Sequence, residues 1–370
     1  MQELPKTFCP AKWDELFLNV SYNYAYACCK ATPVTFYNDY NKALNQQKQN
    51  LLNGVQDSSC EYCWATERNN GKSLRLDYLE KFDVNQFESY KNNTVPVTML
   101  EVNLGNSCNL QCTYCGPKFS SLWEEDIKKK KYPIFTDRFN YEIVKKSKDV
   151  QSNNLSLIAD IKHTRLSIIG GEPLTNNKLF EILDAATSEI INITTNLMVD
   201  TDVLDKLISY HTKFNRIVIG CSIDAVGEMA SFLRHGIDLD LFHRNLKYLI
   251  DHSADNVYIL VQSLMTNISV LDIQNTIAMV SPLVGKKVKW HLTYCVNPKI
   301  FSFESLPDLI KPRFAEYFDQ ITTNPDIRGA ASIASALRNI KFDTGIFNEF
   351  IHFIDEWEIR KNVKVPSIIR

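Results

Sequence analysis

The sequence has no run of 18 apolar residues, which excludes a membrane-spanning helix. Its first residues, Met-Gln-Glu-Leu-Pro-Lys, lack the charged-then-apolar layout of a signal peptide. A net charge of −2 supplies no basic excess with which to hold nucleic acid. Neither an internal repeat nor a low-complexity segment is evident. The expectation is a cytoplasmic protein with no membrane or nucleic-acid partner. At 370 residues, 45% hydrophobic and 23% charged, the chain is ordinary globular material, long enough for a large core.

Cysteine is not scarce. The chain has ten, and in a protein without secretion signals they point to metal or redox chemistry in a reducing compartment. Cys108, Cys112 and Cys115 stand in Asn106-Ser-Cys-Asn-Leu-Gln-Cys-Thr-Tyr-Cys-Gly-Pro117. Three thiolates at C-x3-C-x2-C spacing can hold three corners of a cubane iron–sulfur cluster, leaving the fourth iron open to an outside molecule. Structural zinc usually takes four N/S ligands, and no His or fourth Cys lies within a few residues. A disulfide would leave an odd thiol.

From about residue 96 the pattern is strand, loop, helix, repeated. Strands are expected at Val97–Leu104, His163–Ile169, Ile190–Thr195, Arg216–Ser222, Val257–Leu264 and Lys287–Thr293. Helices are expected at Phe119–Lys130, Asn177–Ser188, Thr201–Tyr210 (capped by Asp200 or Thr201), Leu241–His252 and Val270–Val280. Six such units imply a parallel sheet with right-handed crossovers. Residues 1–90 differ: they hold five cysteines, a polar run from Asn41 to Gln56 that reads as helix or loop, and an apparent strand over Leu16–Tyr26. The tail from Lys311 has helical patches at Phe314–Ile321 and Ile346–Glu358 and no cysteine. The basic run Lys128 to Lys131 reads as a solvated helix face.

About fifty residues after the cysteine loop comes Ile168-Ile-Gly-Gly-Glu-Pro-Leu174. The three-cysteine loop followed by a strand ending in Gly-Gly-Glu-Pro resembles the radical S-adenosylmethionine enzymes. The resemblance implies an α/β fold, a partial (β/α)6 TIM-like barrel over residues 96–300. It also implies a [4Fe–4S] cluster on Cys108, Cys112 and Cys115 that binds S-adenosylmethionine and yields a 5′-deoxyadenosyl radical. Gly170, Gly171, Glu172 and Pro173 would face the methionine ammonium group, and Tyr114 the adenine. Thr195, Asn196, Ser222 and Asp224 would contact the methionine carboxylate and the ribose, with Arg234 pairing to that carboxylate. Gly116, Pro117, Ser120, Ser121 and Trp123 continue the match. Taken singly, each has a plainer role as turn, strand-end cap or surface charge.

Cys9 in Phe8-Cys-Pro-Ala-Lys-Trp13, Cys28-Cys29, and Cys60-Glu-Tyr-Cys63-Trp64 resemble the cluster-binding half of SPASM and twitch modules. Trp13 falls one position later than in that pattern, Asn23 takes a glycine position, and Glu67 to Arg75, with Gly71, continues it. In most relatives the module follows the barrel; here it precedes it, over residues 1–90. The resemblance implies a second, auxiliary [4Fe–4S] cluster on Cys9, Cys28, Cys60 and Cys63, with Cys29 spare and zinc the alternative. Residues 301–370 form a helical extension. The implied function is hydrogen abstraction from a C–H bond, in modification of a ribosomally made peptide. The alternatives are dehydrogenation or rearrangement of a small molecule or sugar, and a catalytically silent cluster-bearing protein. An electron donor such as flavodoxin or ferredoxin is the implied partner. Cys295, after the sixth strand, is a candidate hydrogen donor or a plain core residue; Cys221 alternates away from the side that Ser222 faces.

Overall fold

The computed structural model describes residues 4–19, 22, 24–35, 40–68, 73–129, 158 and 161–369. The expectations for Asn23, Gly71 and Lys130–Lys131 lie outside these residues. Twelve strands occur among the described residues: β1 Glu15–Asn19, β2 Tyr24–Tyr26, β3 Val34–Thr35, β4 Val97–Asn103, β5 Gln111–Cys112, β6 His163–Ile169, β7 Ile190–Thr195, β8 Arg216–Ser222, β9 Arg234–His235, β10 Val257–Met265, β11 Val288–Tyr294 and β12 Ile327–Arg328. The chain divides into two compact units.

One unit comprises residues 1–105, 145–170 and 177–192. Its strands run in the order β6-β4-β1-β2-β3. β4 pairs in parallel with β6 and, on its other side, with β1, from Glu15↔Met99 to Asn19↔Asn103. β1, β2 and β3 are antiparallel neighbours. The stretch read as a single strand over Leu16–Tyr26 is thus two strands, β1 and β2, and the first adds to a parallel sheet. The polar run is a helix, Tyr40–Leu52. Phe8, Trp13, Phe87 and Tyr90 pack as an aromatic core, with Phe8 and Phe87 edge to face at 5.0 Å.

The other unit comprises residues 106–144, 171–176 and 193–370. β8, β10, β11 and β12 are parallel neighbours in that order. β10 alternates buried and half-buried residues along its whole length, the signature of a strand with one packed face. Crossover helices start best where a side chain can hold the first free N–H groups. Asp238 does this for Leu239–His252, accepting from Leu241 N at 2.9 Å. Asp200 occupies the cap position of Thr201–Ser209 without a capping bond. After β11 come the helices Lys311–Ile321, Ala330–Asn339 and Thr344–Lys361. β7 crosses the division, with residues 190–192 in the first unit and 193–195 in the second. The fold is α/β with a mostly parallel sheet.

Candidate functional site

The cysteine loop follows β4 in the chain, and its backbone is set by its own neighbours. Asn106 Nδ2 donates to Pro117 O at 2.8 Å and to Glu124 Oε2 at 2.6 Å. Ser120 caps the helix Ser121–Lys128 and donates from Oγ to Leu110 O at 2.9 Å. Trp123 Nε1 donates to Cys112 O at 2.8 Å. The Gly-Pro…Ser-Ser-x-x-Trp continuation therefore acts physically on the loop, because its side chains hold the carbonyls between and beside the cysteines. Cys112 also sits in β5, paired antiparallel with Arg234 of β9.

Burial pushes the Cys108 thiol up to about 12 and raises Cys115 and Cys112 as well, with Cys112 adding repulsion at both other thiols. Burial alone thus keeps the thiols protonated, whereas iron ligation requires thiolates. Three thiols of one short loop, mutually repelling once ionised, are a soft donor set that fits an iron–sulfur cluster.

The Gly-Gly-Glu-Pro turn abuts this loop. A Cβ on Gly171 would lie 2.1 Å from Ser107 O, and Glu172 N donates to that same carbonyl at 2.7 Å. Only glycine permits this approach. The Glu172 carboxylate is buried and accepts Leu174 N at 3.0 Å and Asn196 N at 2.6 Å. Burial raises its pKa to about 7, against the pull of those two N–H groups. Asn196 Nδ2 in turn donates to Asn109 Oδ1 at 2.8 Å, and Asn109 Nδ2 to Met198 O at 2.7 Å. Thr195 Oγ1 accepts Leu197 N at 3.0 Å, where Leu197 has φ +61°. Gly170, in the other unit, has φ +152°, and a Cβ there would meet Gly105 O at 3.0 Å.

Tyr114, Asp224 and Arg234 are brought together. Arg234 donates from Nε to Asp224 Oδ2 at 2.8 Å and from Nη2 to Oδ1 at 3.2 Å. Tyr114 Oη–H donates to Oδ2, and Leu264 N to Oδ1 at 2.8 Å. Each Asp224 oxygen thus has two partners. Burial drives the Tyr114 hydroxyl well up; for Arg234 burial opposes the charge most strongly, but Asp224, Tyr114 and Cys112 together outweigh it and hold the guanidinium charged. Ser222 ends β8 half-buried. Cys221 and Cys295 are buried. Cys295 Sγ points to Pro298 O at 3.7 Å, and burial pushes its thiol up to about 12.

The N-terminal cysteines converge independently. Cys9, Cys28, Cys60 and Cys63 line one cavity, together with Lys12 and Arg75 among others. Cys29 is exposed and outside that lining. The Cys28 thiol is raised first by its bond to Cys29 and then by burial, and Cys29 is lowered by the same bond. Burial raises Cys9, Cys60 and Cys63. Among the described residues, no group of three or more His, Cys, Asp and Glu side chains is arranged to hold a single metal ion. Sequence reading missed Lys12, Arg75, Gln111 and Asn109. Lys12 within Cys-Pro-Ala-Lys-Trp and Gln111 between two cysteines were the available signals.

Residues 102–276 match the family model described as the radical SAM superfamily. The matched stretch is somewhat under half of the chain and shows what these residues are similar to. The match names no single reaction. The matched segment spans the cysteine loop, the Gly-Gly-Glu-Pro turn, Asn196, Asp224 and Arg234. Among solved structures, the chain is similar to native anSMEcpe with bound AdoMet at 17% identity and a TM-score of 0.44, over 63% of this chain and 64% of that one. It is similar to Streptococcus suis SuiB bound to S-adenosylmethionine at 16% identity and a TM-score of 0.40, over 80% and 67%. For SuiB bound to precursor peptide SuiA the values are 16% and 0.41, over 74% and 63%. The chain spans 64% of the length of the first of these. No curated protein matches the sequence. No helix among the described residues is long and apolar enough to cross a membrane.

Proposed function

We propose that this chain is a radical S-adenosylmethionine enzyme that modifies a ribosomally made peptide. The observation that carries the reading is the loop of Cys108, Cys112 and Cys115, tied through Asn109 to Asn196 and through Asn196 to Glu172. Those thiols would hold three irons of a [4Fe–4S] cluster. With S-adenosylmethionine bound, that group supplies a 5′-deoxyadenosyl radical by reductive cleavage.

The chain's own residues bind and orient. The tight Gly170–Pro173 turn takes the methionine ammonium. Arg234 keeps Nη1 for the methionine carboxylate while Asp224 occupies Nε and Nη2. Thr195, Asn196 and Ser222 supply hydroxyl and amide groups to the carboxylate and ribose. Asp224 joins them only by giving up one of its four present partners. Tyr114 covers the adenine. Burial of Glu172, Thr195, Asn196, Asp224 and Arg234 helps exclude water from a reactive species.

Residues 1–90 are proposed as an auxiliary module in which Cys9, Cys28, Cys60 and Cys63 hold a second [4Fe–4S] cluster. Their side chains line one cavity and form a soft donor set of the kind that suits such a cluster. The peptide substrate is proposed from the SPASM-like spacing of these cysteines. A flavodoxin or ferredoxin in the cytoplasm would supply the electron.

The test is anaerobic reconstitution followed by reduction with dithionite in the presence of S-adenosylmethionine. The expected result is 5′-deoxyadenosine from the native chain and none from Cys108→Ala/Cys112→Ala/Cys115→Ala. Deoxyadenosine from the triple variant would overturn the ligand assignment, and none from the native chain would overturn the reaction.

A further inference from the structure

Lys12 lies three residues past Cys9 on the short helix Ala11–Asp14 and is 2% exposed. Its ammonium donates to Gln47 Oε1 at 2.8 Å and to Ser59 Oγ at 3.1 Å. Both acceptors are neutral. An ammonium has three donors, and the side chain lines the cysteine cavity. Ser59 Oγ stands 3.9 Å from Cys60 Sγ, which places the ammonium beside that thiol. Asp57 spends its oxygens elsewhere, Oδ1 on Ser59 and Oδ2 on Asn50.

The other charged or polar groups of the cavity are already satisfied. Arg75 is matched by Glu67, from Nε to Oε1 at 2.9 Å and from Nη2 to Oε2 at 2.5 Å. Tyr78 gives its hydroxyl hydrogen to Glu15. Lys30 is exposed, with its ammonium 4.9 Å from the centre of the Tyr62 ring. Lys12 is therefore the cavity's buried positive charge with no carboxylate in direct contact among the described residues; Asp57 attracts it only from behind Ser59. A buried ammonium is costly unless an opposite charge faces it. Four thiolates around a metal group supply that charge.

We propose that Lys12 is the counter-charge of the group held by Cys9, Cys28, Cys60 and Cys63, and that it sets the reduction potential of the iron–sulfur cluster there. The inference rests on the auxiliary-cluster reading above. Reduction adds one electron to a group that is already anionic. A fixed positive charge beside one ligand stabilises the reduced form more than the oxidised form and raises the potential.

The test uses the full chain carrying Cys108→Ala/Cys112→Ala/Cys115→Ala, so that the N-terminal site alone titrates. Iron, sulfide and zinc are measured first. About four iron and four sulfide per chain establish the cluster; one zinc and no iron overturns the cluster reading itself, and Lys12's redox role with it. The midpoint potential is then read by a spectroscopically monitored redox titration. Lys12→Met is expected to shift the one-electron reduction equilibrium at least tenfold against the reduced form, about 59 mV. Lys12→Arg, which keeps the charge, is expected to restore most of that shift. An unchanged potential in a fully loaded Lys12→Met protein overturns the proposal. If Lys12→Met takes up no cluster, Lys12→Arg decides: loading with near-native potential supports a charge role, and failure to load shows a packing role instead.

Discussion

Glu172 accepts the backbone N–H of Asn196 at 2.6 Å with one carboxylate oxygen and that of Leu174 at 3.0 Å with the other. One buried side chain therefore fixes the Gly-Gly-Glu-Pro turn to the residue that follows β7. Because Asn196 also holds Asn109, the turn's carboxylate reaches the cysteine loop in two hydrogen bonds.

Glu172→Ala leaves two buried N–H groups without acceptors, at about 1–3 kcal/mol each. The expected outcome is at least a tenfold loss of S-adenosylmethionine affinity with iron content kept near native. Equilibrium binding of the cofactor to reconstituted protein, beside an iron assay, measures both. Unaltered affinity would show that the turn holds its shape without the carboxylate.

Asp224→Ala removes the only carboxylate that pairs with buried Arg234 among the described residues. Breaking a buried pair on one side costs about 3–5 kcal/mol, because the remaining charge stays unpaired. Denaturant unfolding of the unloaded protein is expected to show a loss of that order. The Asp224→Ala/Arg234→Met double variant should recover part of it, and a loss well under about 1 kcal/mol would refute the coupling.

At the N-terminal site, Cys60→Ala is expected to lower iron from about eight to about four per chain. Cys29→Ala should leave it near the native level, since Cys29 lies outside the cavity lining. Elemental analysis after reconstitution decides. Equal losses in both variants would mean that the Cys28-Cys29 pair acts together or in exchanged roles.

Cys295 keeps its hydrogen at neutral pH, since burial pushes its thiol up to about 12. A protonated thiol is what hydrogen-atom donation needs. If Cys295 donates hydrogen, Cys295→Ser with the proposed peptide substrate leaves deoxyadenosine formation unchanged while final product falls, read by mass spectrometry. Full product yield would return Cys295 to the core, where small buried thiols commonly serve as packing.

Glu101 is half-buried on β4, and burial, with Glu15 repelling, raises its pKa to about 7. The sign follows from proton uptake. Between about pH 4.3, the unperturbed glutamate value, and about 7 the folded chain holds a proton that the unfolded chain has released. This group's contribution to stability therefore falls as pH rises through that window. Thermal unfolding of unloaded protein at about pH 5.5 and about pH 8, inside and above that window, is expected to show a smaller decline for Glu101→Gln than for the native chain. An equal decline in both would locate the pH dependence elsewhere.

Much of the strand pattern was legible. β6, β7 and β8 begin and end where apolar alternation and turn residues place them, while β10 runs one residue further and β11 lies one residue later. The parallel pairing of β1 with β4 was not legible, because side-chain alternation specifies a strand's faces but not its neighbour. The helix Ala330–Asn339 escaped because its buried face, Ala330, Ile333, Ala334, Ala336 and Leu337, is mostly alanine and so does not stand out in the sequence. At the site, cysteine spacing and the Gly-Gly-Glu-Pro turn were readable, since each needs specific residues at fixed offsets. Lys12 was missed: its place three residues after Cys9 was the one signal, but a lysine there reads as solvated until the packing of Gln47 and Ser59 around it is seen.

The cysteine loop is propped from far along the chain. Lys361, 250 residues after Gln111, donates to its side-chain oxygen, and both hold Asp126 at 2.9 Å. Trp357 stacks on Trp123 with ring centres 5.2 Å apart, and Trp123 holds the Cys112 carbonyl. A ribosome makes the three thiols long before it makes Trp357 and Lys361. The nascent chain therefore displays its cysteines for an interval without the helix that steadies them, so the finished loop geometry awaits the synthesis of that helix.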